Sequence, residues 1–261
     1  MKKIIAAMLA ACLMFACACA FAEGITVTKK DMALNRSLDK NVTNILVLMQ
    51  DGEKTDTMVV ASVNSRTGRS VMTEIRCGRT VELAEAGEVE LADVYAMGAK
   101  KSKGFLAART VNQLLDLNIS TYVAMDISSF PSLVDEIGML STWLNEQEAE
   151  ILGTWPGDNA LTSENVLDYI AIRLEEDYAE KNRCYMVFMD LLKQGLRSTG
   201  GANLMGVGKK LLANMDTNLN ALAAVTMLSS FQSGDDRREL LLESSMTVEE
   251  MRAAFYREVY E

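Results

Sequence analysis

Residues 44–49 (Asn-Ile-Leu-Val-Leu-Met) are the feature that most constrains the fold, because this short run is apolar almost throughout and is followed by Asp51-Gly52. An apolar run of this length before turn-forming residues predicts a strand that is buried on both faces and followed by a loop. Strands of this kind lie in the interior of sheets that other elements cover on both sides. The run therefore predicts the central strand of an α/β domain.

Strand and helix patterns alternate along the rest of the first half. Strands are predicted at 58–63 and 70–75, and the turn residues from Asn64 to Gly68 predict a hairpin between them. A helix over 104–117, a strand over 121–125 and a helix over 130–137 that ends at Gly138 follow. The second half predicts helices near 163–173 (capped by Ser163), 180–196, 206–215, 218–231 and 247–260, with an edge strand at 239–243. This order predicts a single α/β domain with a central mixed β-sheet, helices on both faces and a mostly helical C-terminal part.

The N-terminus has the pattern of a secretory signal peptide. Lys2 and Lys3 precede a continuous apolar run, and Ala20 and Ala22 supply the small residues of a cleavage site. The pattern predicts a signal peptide over residues 1–22, cleaved after Ala22, and an extracytoplasmic protein that is secreted or associated with the cell envelope. The alternative is an uncleaved N-terminal anchor, because the run just reaches the roughly 20 residues that span a bilayer. The remainder is divided into an N-terminal extension (23–42) and one domain (43–261).

Composition excludes several functional classes. The chain has no histidine, which excludes Ser-His-Asp and Cys-His catalysis and imidazole ligation of metals. Cleavage would leave 24 basic residues against 36 acidic ones, and a net charge near −12 argues against nucleic-acid binding. Two cysteines, Cys77 and Cys184, would remain. In an exported protein they form either a disulfide or two buried thiols.

Several segments of the mature chain resemble, in order and in one register, the motifs of the LytR-CpsA-Psr family. The strand at 44–48, then Asp51 and the run Lys54-Thr55-Asp56-Thr57-Met58, is similar to the family's opening motif of an apolar strand, an acidic turn and Arg-x-Asp-Thr-Met/Ile. Residues 71–75, 89–98, 110–115 and 122–126 are similar to its middle blocks, and residues 216–219 to the start of a late helix. The likeness covers nearly all of the mature chain.

The resemblance implies a cell-wall ligase. The family is understood to move a glycopolymer, with its linking phosphate, from a polyprenyl diphosphate carrier to peptidoglycan or a similar acceptor. The lipid occupies an apolar tunnel, which would bring the protein to the membrane surface, while magnesium and arginines hold the diphosphate. Phosphoryl transfer asks the protein mainly for positioning and charge neutralisation, so it does not require histidine.

The implied site residues can be carried over one by one. Asp51 and Asp56 stand at the positions that serve the magnesium site, and Lys54 replaces the arginine of the opening motif. Arg76 and Arg79 flank the position of a family arginine that is missing here. Arg173 and Arg183 are retained from a later arginine motif, in which Ala171 and Glu180 replace two others. The implied catalytic residues are Asp56, Arg173 and Arg183, and the implied phosphate-binding residues are Lys54, Arg76, Arg79, Arg173 and Arg183.

The same register gives a hypothesis for the cysteines. Cys77 stands at the place of the missing arginine, and Cys184 at the place of a glutamine that belongs to the same pocket in the family. The resemblance therefore implies a Cys77–Cys184 disulfide across the phosphate site, with two buried thiols that never meet as the alternative.

Three functional classes follow. The first is an active ligase with a rearranged site. The second is a catalytically inactive relative that binds a lipid-linked wall precursor. The third is an exported structural or interaction protein that keeps only the fold. The missing arginines leave enzymatic activity undecided between these classes.

Overall fold

A mixed six-stranded sheet forms the centre of the molecule. The computed structural model describes residues 24–173, 182–198, 215–220 and 236–261. The strands are β1 Val42–Asp51, β2 Lys54–Asn64, β3 Arg69–Ile75, β4 Thr80–Leu83, β5 Gly87–Glu90, β6 Thr121–Asp126, β7 Leu140–Leu144, β8 Gly157–Leu161, β9 Asp216–Thr217 and β10 Asp236–Leu242. Their order in the central sheet is β10-β3-β2-β1-β6-β9. The helices are α1 Val94–Met97, α2 Lys103–Leu115, α3 Phe130–Ile137, α4 Glu146–Ile151, α5 Val166–Ala171, α6 Arg183–Ser198 and α7 Val248–Val259.

The predicted central strand is β1, and its position is confirmed. It pairs antiparallel with β2 and parallel with β6. Leu46 and Leu48 belong to the core cluster on one face of the sheet, and Val47 and Met49 belong to the cluster on the other face. Because side chains alternate along a strand, only a strand covered on both faces needs a continuous apolar run.

Two layers of helices complete the α/β/α sandwich that the sequence predicted. On one face, α2 and α7 cover the sheet with residues such as Leu106 and Phe255. On the other face, α3, α5 and α6 pack over it together with the β7–β8 hairpin. Each Leu, Met or Phe that is fully removed from water there contributes about 1.5–3 kcal/mol.

The segment before β1 packs into the same core. Val27 and Met32 are buried in the cluster beneath α2, and Ile25 bridges to Gly98. The buried Asn112 side chain fixes this segment, because its Nδ2 donates to the carbonyl oxygens of Met32 (2.7 Å) and Ile119 (2.8 Å). The part of the predicted extension that the structure describes is therefore packed against the domain.

The remaining element predictions are confirmed in part. The hairpin of β2 and β3, the helices α2, α3, α6 and α7, and the edge strand β10 are present. The prediction that Ser163 caps this helix is wrong, because α5 starts at Val166 and its N-cap residue is Asn165. The Asn165 side chain closes a turn there by accepting from the backbone nitrogen of Thr162 (2.7 Å). The hairpins β4–β5 and β7–β8 were not predicted.

Three predictions fall wholly or largely on parts of the chain outside the described residues. These are the signal peptide and the helices near 206–215 and 218–231. None of the helices in the described ranges is long and apolar enough to cross a membrane.

Candidate functional site

Asp56 lies in a β-bulge near the turn that joins β1 to β2. Met49 is opposite Thr57 and Gln50 is opposite Thr55, so Asp56 is the extra residue of the bulge. A bulge changes the direction of a side chain and is frequent beside functional sites. Here the Asp56 carboxylate meets Arg173, which follows α5, with 3.8 Å between Oδ1 and Nη2.

A continuous set of polar contacts runs from Asp56 across β2 and β3. Thr57 Oγ1 donates to Asp56 Oδ2 (2.9 Å), and Asn182 Nδ2 donates to Thr57 Oγ1 (3.0 Å). The same Asn182 amide donates to Glu74 Oε1 (2.8 Å), which also pairs with Nη1 of Arg76 (3.1 Å). We call these residues the site network: Arg173, Asp56, Thr57, Asn182, Glu74 and Arg76.

The site network places a guanidinium at each end of a line that contains two carboxylates. Burial raises the pKa of Glu74, while the hydrogen bond from Asn182 and the charge of Arg76 oppose that rise. Arg173 Nη1 donates to the carbonyl oxygens of Ile170 (2.8 Å) and Ile172 (3.2 Å). Because 69% of the Arg173 side chain is nevertheless exposed, the side of its guanidinium that faces Asp56 is accessible to an anionic ligand. A guanidinium fork suits phosphate oxygens, and the arrangement can therefore receive a phosphate beside Asp56.

Lys54 and Asp51 lie at the turn next to the bulge. Lys54 Nζ is 3.2 Å from Glu90 Oε2 and 3.5 Å from Asp93 Oδ1. The hydrogen bond to Glu90 and the charge of Asp93 raise the pKa of the Lys54 amine. Its charge is therefore balanced by carboxylates on β5 and the turn after it, whereas the Asp51 side chain is exposed.

Arg79 faces away from the site network, which corrects its predicted role as a phosphate ligand. Its guanidinium contacts Met251 Sδ and donates to the Met246 carbonyl oxygen (3.2 Å), both in the C-terminal segment that carries α7. With Arg252 it lines a separate open cavity of about 330 Å³ between β4, α2 and α7.

Arg183 is also corrected, because it is a buried structural residue. Its side chain is 5% exposed and forms an ion pair at 2.8 Å with Glu148, whose side chain is fully buried. Its Nη1 donates to the carbonyl oxygen of Ile172 (3.2 Å). A guanidinium held in this way joins α6 to α4 and is not available to a ligand.

The predicted disulfide is wrong in this structure, where Cys77 and Cys184 are both free and buried. Cys77 belongs to the core cluster on the α2 and α7 face, whereas Cys184 belongs to the opposite cluster, with Sγ 3.8 Å from Met49 Sδ. Burial raises the pKa of the Cys77 thiol to about 12. The register that aligned the two cysteines with one pocket did not show that they lie on opposite faces of the sheet.

The carboxylates of Asp51 and Asp56 can hold Mg²⁺ only if a bound ligand completes the coordination of the metal. Among the described residues, no three His, Cys, Asp or Glu side chains are close enough together to hold a metal. Burial is the main cause that raises the pKa of the Cys184 thiol, and the negative charges of Asp56 and Asp51 raise it further. Both carboxylates therefore lie near the same thiol. Two carboxylates combined with phosphate oxygens and water are an ordinary ligand set for Mg²⁺.

Three members of the site network were not predicted as site residues: Thr57, Asn182 and Glu74. Glu74 stands in an otherwise strand-like run, and a charge buried in a strand requires partners. That requirement is the signal that could have identified Glu74. Asn182 has no comparable signal, because its role depends on α6 bringing it to β2 and β3.

The fold and the site together define an α/β/α domain with an anion-compatible polar site beside a bulge in its central sheet. The sequence model of the LytR_cpsA_psr family matches residues 17–256, and the chain belongs to this family. The resemblance stated from the motifs is thereby confirmed.

Relatives with curated names match at low identity. Biofilm regulatory protein A of Streptococcus mutans is 26% identical over 183 residues, which are 63% of this chain and 44% of that protein. The polyisoprenyl-teichoic acid–peptidoglycan teichoic acid transferase TagU of Bacillus subtilis is 23% identical over 199 residues, 73% of this chain and 63% of that protein. The chain therefore spans between about two fifths and two thirds of the length of these relatives.

Solved structures confirm the fold. Bacillus subtilis YwtF (TagT) with bound octaprenyl pyrophosphate lipid superimposes with a TM-score of 0.65 at 16% identity, over 87% of this chain and 95% of that one. At this identity the likeness concerns the fold alone.

Proposed function

We propose that this protein is a cell-envelope ligase that transfers a glycopolymer, with its linking phosphate, from a polyprenyl diphosphate carrier to peptidoglycan. The observation that carries the proposal is the site network, which brings Arg173 and Arg76 to the two ends of a line containing Asp56. Relatives named as teichoic acid transferases and a fold neighbour with bound octaprenyl pyrophosphate support the same chemistry.

In this proposal the residues act mainly by charge and position. Arg173 binds diphosphate oxygens, and Asp56 orients its guanidinium. The acceptor hydroxyl oxygen bonds to phosphorus, its proton passes to the Asp56 carboxylate, and the bond to the bridging oxygen breaks. Polyprenyl phosphate then leaves with that oxygen and its electron pair.

Magnesium would be held by Asp51 and Asp56 and would neutralise charge on the diphosphate. The proposed place of action is the outer side of the membrane, consistent with export by the signal peptide predicted at residues 1–22. The lipid of the carrier would bring the substrate to the membrane surface.

A second candidate is a relative that binds the lipid-linked precursor without turnover. It is favoured by the loss of positive charge around the site, because Cys77 replaces a family arginine and both Arg79 and Arg183 are engaged elsewhere. Phosphoryl transfer depends on charge neutralisation in the transition state, so fewer cations reduce turnover more than binding.

Titration of the protein with a polyprenyl diphosphate, with and without Mg²⁺, tests the site. Arg173→Ala is expected to weaken binding by about 10- to 100-fold, because a charged hydrogen bond contributes about 1.5–3 kcal/mol. Arg257→Ala is the matched control, since Arg257 is 68% exposed and pairs with a carboxylate at 3.5 Å on the opposite face. Equal affinities of both variants and the wild type would contradict a phosphate site at Arg173.

Release of polyprenyl phosphate from a glycopolymer-linked carrier, with peptidoglycan as acceptor, separates the two candidates. The ligase is expected to release it, and Asp56→Asn is expected to abolish release while retaining the carrier. Saturable binding by the wild type with no release would favour the binding-only candidate.

A further inference from the structure

The exposed large hydrophobic side chains of the described residues all lie in one short segment. They are Met139, Trp143, Ile151 and Trp155, in and around the hairpin of β7 and β8. Trp143 and Trp155 are the only two tryptophans of the chain, and they are 63% and 84% exposed. Tryptophan is on average a highly buried residue, so two exposed indoles in one hairpin require an explanation.

The turn that carries Trp155 is held in a defined shape. Asn159 Nδ2 donates to the carbonyl oxygens of Trp155 (2.9 Å) and Gly157 (3.0 Å), and Thr154 Oγ1 donates to Asn159 Oδ1 (3.0 Å). Gly153 and Gly157, which bracket the turn, have φ angles of +65° and +110°, a region that glycine adopts without strain. The indole of Trp155 is thus presented to solvent by an ordered turn.

The carboxylate of Asp158 lies opposite the indole of Trp143. Trp143 and Asp158 are direct partners across the hairpin and are both exposed, and such partners have Cβ atoms about 4.5–5.5 Å apart. The surface therefore combines an aromatic face with a hydrogen-bond acceptor beside it. An indole face carries negative charge and attracts polarised C–H groups, while a carboxylate accepts hydrogen bonds from hydroxyls.

The charge of this region decides what kind of ligand it suits. No lysine or arginine occurs between Arg109 and Arg173, and Glu146, Glu150 and Asp158 are exposed around the hairpin. An anionic bilayer or an anionic polymer gains about 1 kcal/mol from each basic residue near it, and residues 110–172, which contain the hairpin, supply no such residue. A neutral ligand rich in C–H faces and hydroxyl groups fits this surface.

We propose that Trp143, Trp155 and Asp158 form a binding surface for a neutral glycan chain, with pyranose rings stacked on the indoles. The inner side of the hairpin, including Leu140 and Leu144, packs into the same core cluster as Cys184. The glycan surface thus lies on the helical face of the sheet that also carries the site network. The proposal goes beyond the proposed function, because binding at this surface requires no turnover.

Calorimetric titration of the full chain with the uncharged N-acetylglucosamine hexamer tests this surface. Trp143→Ala and Trp155→Ala are each expected to weaken binding about two- to tenfold, the factor that one aromatic contact contributes. Trp155→Tyr retains a stacking face and is expected to restore most of the affinity. The tryptophan fluorescence of the wild type should change saturably, because both of its tryptophans lie on this surface.

Met139→Ala and Ile151→Ala are the matched controls, since both residues are exposed hydrophobics of the same segment that lack a stacking face. They are expected to bind the hexamer like the wild type. The proposal is overturned if these controls weaken binding as much as the tryptophan variants, or if the hexamer does not bind. It is also overturned if the tryptophans mediate only self-association in sedimentation, or only partitioning into phosphatidylglycerol–phosphatidylcholine vesicles.

Discussion

Arg173 and Arg183 are two arginines retained from one family motif, and the structure places them in opposite environments. Arg173 is exposed beside Asp56, whereas Arg183 is buried against Glu148. Their side chains are chemically identical, so burial and partners separate an exposed guanidinium from a structural one. Removing one partner of a buried ion pair leaves the other charge uncompensated, whereas removing an exposed charge costs little.

Arg183→Met is expected to lower the free energy of unfolding by about 3–5 kcal/mol, because Glu148 would lose the buried guanidinium that lies 2.8 Å from its carboxylate. Urea unfolding at neutral pH measures the loss. The double variant with Glu148→Gln removes both charges while keeping the acceptor that caps α4 at Asn145, and it should recover most of the stability. A loss below about 1 kcal/mol in the single variant would show that the pair is exposed to water.

Glu74 gives the site network a dependence on pH. Burial raises its pKa above the ordinary value of 4.5, against the opposing effects of Asn182 and Arg76, and nearby Glu243 and Asp56 raise it further. A carboxyl group with a raised pKa binds its proton more tightly in the folded state than in the unfolded state. Its contribution to stability is therefore complete below pH 4.5 and declines as pH rises through the raised pKa.

The variant Glu74→Gln isolates this contribution, because glutamine keeps the shape but does not titrate. The unfolding free energy of the variant minus that of the wild type is expected to increase as pH rises from about 4 to 7. Denaturant unfolding at a series of pH values measures the difference. A difference that is constant, or that decreases over this range, would contradict a raised pKa for Glu74.

At the scale of elements, the contact between α2 and β6 depends on a residue without a side chain. A Cβ atom on Gly104 would lie 2.0 Å from Cε2 of the Tyr122 ring. Tyr122 in turn stacks edge-on against Phe105, with 5.4 Å between ring centroids, and donates a hydrogen bond to Asp216 (3.3 Å). A larger residue at position 104 must therefore separate the helix from the sheet.

Gly104→Ala is expected to destabilise the protein by about 1–3 kcal/mol or more, the usual cost of overpacking a core. Gly78→Ala is the matched control, because a Cβ atom there would have no atom within 4 Å. Thermal unfolding of both variants measures the difference. Equal midpoints for the two variants would show that the close approach of helix and ring is not maintained in solution.

The elements that could be predicted are those whose apolar pattern matches their burial. β1 was identified because both of its faces are buried, and α7 because Thr247 and Glu250 form a capping box. The β7–β8 hairpin was missed, because β7 exposes Trp143 and β8 is rich in polar residues. The site was predictable only in part, since Asp56 follows from the motif whereas the contacts of Arg79 and Arg183 depend on tertiary packing.

At the scale of the whole molecule, the sheet separates two apolar cores, each of which contains one thiol. Burial raises the pKa of both thiols, so they are neither exposed nor ionised near neutral pH. Reaction with a thiol reagent therefore requires opening of the structure on the corresponding face.

Both cysteines are expected to resist Ellman's reagent in the native protein and to react fully in denaturant without prior reduction. Mass spectrometry after alkylation of unreduced, unfolded protein should show a label on both Cys77 and Cys184. Equal labelling rates of Cys77 and Cys184 in mild denaturant would indicate that the two cores open together. An unlabelled pair in unreduced material would restore the disulfide that this structure lacks.

The pairing of β10 with β3 determines the order in which the molecule can assemble. Arg69 and Asp236 are partners in this parallel pair although they are 167 residues apart in sequence. Ribosomes add about 5–20 residues per second, so the β1–β3 segment emerges on the order of ten to thirty seconds before its last neighbour. During that interval β3, which is covered on both faces in the finished sheet, presents an unpaired edge that other chains can join. The yield of folded protein should therefore depend on how well the nascent chain is shielded until β10 arrives.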